Sequence, residues 1–83
     1  MAEMVPILAP DLGSTEPSRL SAWLVEVGET VRTGDRVAEL LLPGLTVDVA
    51  APASGRLSDS KAALNALIVA GQTLGTIERD DDV

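Results

Sequence analysis

Shifting this 83-residue chain by 37 positions lays its second half on its first, and that repeat constrains the fold more than any other feature. Arg19-Leu20-Ser21 recurs as Arg56-Leu57-Ser58. Gly28 falls on Asn65, two residue types that accept positive φ. Val31 falls on Ile68, Gly34 on Gly71, Val37 on Leu74 and Leu40 on Ile77. Upstream of each Arg-Leu-Ser lies an Ala-Pro pair, Ala9-Pro10 and Ala51-Pro52. The first copy holds five extra residues in that interval, within Asp11 to Ser18, which reads as a loop insertion in one copy.

Within each copy the rhythm is that of short strands, Val/Leu/Ile runs separated by Gly, Pro, Asp and Asn. Strands are expected at Met4 to Ala9, Leu20 to Val27, Arg36 to Leu42, Leu45 to Ala50, Arg56 to Ser60, Leu67 to Val69 and Leu74 to Glu78. Lys61 to Leu67 has helical propensity. Because Ser60 to Leu64 is the twin of Trp23 to Val27, strand is expected there instead. Neither half alone buries its apolar face. The reading is therefore all-β, two packed sheets related by a quasi two-fold, a sandwich or flattened barrel. One domain is expected over residues 1–79, followed by an acidic disordered tail at 80–83.

Composition removes most chemistry. There is no His, Cys, Phe or Tyr, and Trp23 is the one aromatic residue. No side chain titrates near neutrality unperturbed, and no thiolate is available as nucleophile or metal ligand. No metal site is expected. A net charge of −7 disfavours nucleic acid and an anionic membrane face. The longest apolar run, Val37 to Pro43, is interrupted by Glu39 and is far short of the ~20 residues that span a bilayer. Met1-Ala2-Glu3 has no basic n-region, so a soluble, cytoplasmic protein is expected. Asp11, Glu16, Glu26, Glu29 and Asp35 lie in or near turns without a spacing that predicts convergence, and read as solvated. Asp35 is expected to cap the turn after Gly34. Trp23 reads as sheet packing rather than a ligand platform. A small enzyme is the weakest of the functional readings, since no catalytic residue stands out.

Trp23-Leu24-Val25-Glu26-Val27-Gly28-Glu29-Thr30-Val31-Arg32-Thr33-Gly34-Asp35-Arg36-Val37-Ala38-Glu39 resembles the first half of a lipoyl domain, W-L-V-x-x-G-D-x-V-x-x-G-D-x-L-x-E. Val47 to Gly55 resembles the following V-E-V-x-A-P-x-x-G, and Gly71 to Glu78 the closing G-x-x-L-A-x-I-E. The resemblance covers about residues 4–79 and is gapless from Gly28 to Glu78. It is to the lipoyl/biotinyl carrier domains, and it implies a barrel-sandwich hybrid of two four-stranded sheets. It also implies a swinging arm, lipoate or biotin, on a lysine at a hairpin tip, and service to 2-oxo acid dehydrogenase complexes or to carboxylation. In such carriers the chemistry belongs to the cofactor.

The hairpin here is Leu41-Leu42-Pro43-Gly44-Leu45. In the gapless frame Glu39 keeps the family's acidic position, Pro43 replaces its Asp, Gly44 its Lys and Leu45 its Ala. No lysine occurs from residue 1 to 60. Pro-Gly still makes a good type II turn, so the hairpin should form without its chemistry. Leu41, Leu42, Pro43, Gly44 and Leu45 form a possible apolar contact for a protein partner. The expectation is a cofactor-free structural or docking module related to swinging-arm carriers, with 2-oxo acid dehydrogenase or acyltransferase components as possible partners. The alternative is a genuine lipoyl- or biotin-type carrier modified at Lys61, the sole lysine, which aligns with Leu24 in the repeat.

Overall fold

All regular structure in the computed structural model, which describes residues 2–13 and 16–80, is β, and it divides at the repeat. The first half supplies β1 (Ala2–Leu8), β2 (Ser18–Trp23), β3 (Thr30–Val31) and β4 (Arg36–Leu42). The second supplies β5 (Leu45–Ala50), β6 (Gly55–Ser60), β7 (Leu67–Ile68) and β8 (Thr73–Asp80). The strands form two four-stranded sheets, ordered β1-β8-β6-β3 and β5-β4-β2-β7. Every pairing is antiparallel. Exchanging β1 with β5, β2 with β6, β3 with β7 and β4 with β8 turns one order into the other. Each sheet thus draws two strands from each half, and neither half builds a sheet alone. This is the expected flattened barrel with a quasi two-fold.

The symmetry extends to individual atoms. Beyond the strand pairings, fourteen backbone hydrogen bonds among the described residues fall into seven twin pairs. Leu24 N–H donates to the Val37 carbonyl as Lys61 N–H does to that of Leu74. Gly28 N–H donates to Leu57 as Asn65 N–H does to Leu20. The repeated Arg-Leu-Ser has a physical reason. Leu20 and Leu57 are fully buried, and the pairing register slips just after each of them. The serine that follows is left out of the pairing, as in a bulge. Its hydroxyl donates to a carbonyl of the facing strand, Ser21 to Glu39 at 3.0 Å and Ser58 to Thr76 at 3.1 Å.

The core is symmetric as well. Leu20 and Leu57, Val31 and Ile68, Val37 and Leu74, Leu40 and Ile77, and Ile7 and Val49 are buried twins. Buried aliphatic side chains dominate the favourable side of folding at about 1.5–3 kcal/mol each, and here they interdigitate between the sheets. Trp23 breaks the symmetry. Its ring reaches Gly75, where an added Cβ would lie 3.1 Å from the ring, and its Nε1–H donates to the Ala62 carbonyl at 3.0 Å. The twin pair is Ser60 and Ala38, a small side chain and one methyl. Trp23 is thus a packing residue, as expected.

Three expectations are corrected. β2 ends at Trp23 rather than Val27, and β6 ends at Ser60, so Lys61 to Leu64 is not a strand. In both places the chain leaves the sheet and closes a turn, Glu29 N–H to Glu26 and Ala66 N–H to Ala63, which lets it cross to the other sheet. The twin relation was sound, but both twins are turns. The short β3 was not foreseen, although it is the twin of β7. Asp80, assigned to the tail, has its backbone in β8 opposite Ala2, while tail residues 81–83 lie outside the described residues. Among the described residues no helix is long and apolar enough to cross a membrane.

Candidate functional site

The hairpin tip, where the resemblance expects an arm, is formed simply by the sequence. β4 and β5 pair from Arg36–Ala50 up to Leu42–Leu45, leaving Pro43 and Gly44 as the turn. Proline fixes a negative φ at the first turn position and Gly44 takes φ +72° at the second, the signs of a type II turn. Leu40 and Leu42 are buried below the turn, whereas Leu41 and Leu45 are 45% and 56% exposed. Leu41 pairs with Arg19, and Arg19 pairs with Leu67 on the other side. Opposed residues of neighbouring strands share a face. The outer face of this sheet therefore carries a row of two exposed leucines with a guanidinium between them. Arg19 donates to the Asn65 carbonyl at 2.8 Å.

The inserted loop packs beside this tip. Two shallow cavities share Glu16, Pro17 and Leu42. One, of about 240 Å³, runs between the loop and Ile68-Val69-Ala70. The other, of about 470 Å³, runs under the tip along Leu41, Pro43, Gly44 and Leu67. Asp11 shapes the loop by accepting the Gly13 N–H at 2.9 Å. The cavities lie at one end of an elongated body, 42 × 20 × 18 Å. β4 runs toward that end, and β8 starts near it and runs away, so the paired ends of β1 and β8 lie at the other. Sequence reasoning missed the cavities, although the unequal loop lengths of the two copies marked where they would be.

The other candidate residues do not converge here. Glu29 Oε1 accepts the Glu26 N–H at 3.0 Å, and Asp35 Oδ2 accepts the Arg32 N–H at 2.9 Å. Asp35 thus closes the turn that contains Gly34 rather than one after it. Among the described residues no group of acidic side chains is arranged to hold a metal ion. Lys61 follows the end of β6. Its Nζ is 3.6 Å from Asp59 Oδ2, and its side chain is about half exposed. It sits at a strand end rather than at a turn tip.

The tip fails the chemical requirement for a lipoyl or biotinyl arm, which is joined as an amide to a primary amine on a flexible stem. Leu42, Pro43, Gly44 and Leu45 supply no nucleophile. Nothing lies within 4 Å of where a Cβ at Gly44 would be, so a side chain has room. Its φ would still cost an L-residue about 1–2 kcal/mol. The turn is thus adapted to glycine, and no attached group is derived for it.

No curated protein matches the sequence. The biotin/lipoyl family model, described as "Biotin-requiring enzyme", matches residues 5–77, nearly the whole of both repeats. Domains of this family are carriers rather than catalysts. With the fold, the quasi two-fold and this match agreeing, the chain belongs to the biotin/lipoyl domain family.

Proposed function

We propose that this domain keeps the frame of a swinging-arm carrier but works without a cofactor, as a non-catalytic docking module of the cytoplasm whose hairpin tip meets protein partners. The observation that carries this reading is Gly44 at the attachment position, in a chain with no lysine from residue 1 to 60. The exposed Leu41 and Leu45 and the two cavities beside them support contact with a partner at the same end. Family membership favours 2-oxo acid dehydrogenase or acyltransferase components as those partners.

Intact-mass measurement on protein purified from its native host tests the reading. The expected mass is that of the bare chain, allowing for processing of the N-terminal methionine. An added octanoyl, lipoyl or biotinyl group would overturn it, and peptide mapping of that group to Lys61 would establish the alternative carrier.

A further inference from the structure

The two outer strands β1 and β5 are exchanged by the quasi two-fold, and each leaves a row of backbone groups unpaired. Leu42 and Leu45 flank a two-residue turn and form a hydrogen-bonded pair. Alternation then points the N–H and C=O of Leu45, Val47 and Val49 toward β4, and those of Thr46, Asp48 and Ala50 outward. Ala51, next in the inward series, does donate to Asp35 across β4's side. On β1 the twins of the outward residues are Met4, Pro6 and Leu8. Pro6 has no N–H, so the middle donor of that edge is missing, a common way for an edge strand to refuse a partner.

β5 has no such protection. It runs six residues without Pro, Gly or Lys, whereas the remaining outer strands, β3 and β7, are two residues each. Its one charge, Asp48, lies 3.4 Å from Arg36 on β4. The carboxylate of the edge itself is thus paired, on a chain of net charge −7.

We propose that β5 pairs antiparallel with β5 of a second copy of this chain, about a two-fold axis through Val47. In that register Val47 faces its own copy, and Thr46 faces Asp48 twice. Each Thr46–Asp48 pair exchanges both N–H···O bonds, and the threonine hydroxyl is placed to donate to the carboxylate. Leu45, more than half exposed, comes opposite Val49, whose own side chain stays in the core. Moving the axis to Asp48 would set the two carboxylates face to face, so charge selects the first register. The interface is small and the association weak. It shares Leu45 with the hairpin tip but does not depend on the absence of a cofactor.

Sedimentation equilibrium on the full chain, from low micromolar to millimolar and at low and high salt, tests this. Weight-average mass should rise toward that of a dimer, and more at high salt, because salt screens the repulsion between two acidic copies. Asp48→Pro copies Pro6 onto its twin, where the backbone of β1 shows that proline fits. It should weaken association by about tenfold or more while the unfolding midpoint changes little. Thr46→Glu should do the same through charge alone, because it sets a carboxylate opposite Asp48 at both ends of the register, and it decides the matter if Asp48→Pro is poorly folded. A wild-type chain that stays monomeric at millimolar concentration in high salt overturns the proposal. So does a dimer that survives Thr46→Glu and a folded Asp48→Pro.

Discussion

The connection from β1 to β2 and its twin from β5 to β6 begin alike, at Ala9-Pro10 and Ala51-Pro52, and then part. The second closes at once. Ser54 Oγ accepts the Thr33 N–H at 2.9 Å, and β6 starts at the next residue. The first runs on to Ser18 and leaves open cavities against the hairpin. The frame is shared, so it accommodates both a short and a long connection at this point. What differs between the twins is what the fold leaves free to vary, and in this chain that freedom is concentrated beside Pro43 and Gly44.

The largest test of the comparison is in the core. Leu20→Ala and Leu57→Ala should each destabilise by about 3 kcal/mol, and by amounts within about 1 kcal/mol of each other, since both sites are fully buried. Urea unfolding of the two variants measures this. A wider gap would show that the halves are equal in geometry but not in energy. Next come the first residues of β2 and β6, where the twins diverge. A Cβ at Gly55 would collide with the Glu78 carbonyl oxygen, while Ser18 already carries one. Gly55→Ala should therefore cost about 2 kcal/mol, as overpacking does. Ser18→Ala should cost under about 1 kcal/mol, losing only a long hydroxyl bond to Ile68. The smallest test concerns Gly28 and Asn65, at φ +100° and +67°. Gly28→Ala should cost about 1 kcal/mol from backbone strain alone, because no atom lies within 4 Å of the new Cβ. Gly28→Asn, which copies the twin, should stay within about 0.5 kcal/mol of wild type. Thermal unfolding in parallel would separate them, and equal losses would mean that Asn65 holds its conformation by tertiary force rather than by residue type.

Much of this fold was legible because a repeat doubles every signal. β4 and β5 begin and end where alternation and the Pro-Gly turn place them. The positive φ of Asn65 followed from its alignment with Gly28. β3 has no signal of its own because two residues, Thr30 and Val31, are too few to show a period. β2 was drawn too long because Leu24, Val25 and Val27 are apolar, yet that stretch turns to reach the opposite sheet. Apart from β4 with β5, joined by the Pro-Gly turn, which strands pair was not legible. Local patterning specifies a strand and its faces, whereas the interleaving of halves is set by long-range backbone bonds such as Gly28 to Leu57. At the site, the substitution of Gly44 was plain from order and spacing. The cavities depend on how a loop packs, which no local pattern encodes.

The pairing of Ala2 with Asp80 has a consequence for how the chain could be strung. That pair lies where the quasi two-fold would put a second hairpin turn, so the fold has two equivalent places for a break in covalent continuity and uses one. A circular permutant opened between Pro43 and Gly44, with Ala2 and Asp80 joined by a two-residue turn, would keep every strand pairing and merely exchange the roles of the two poles.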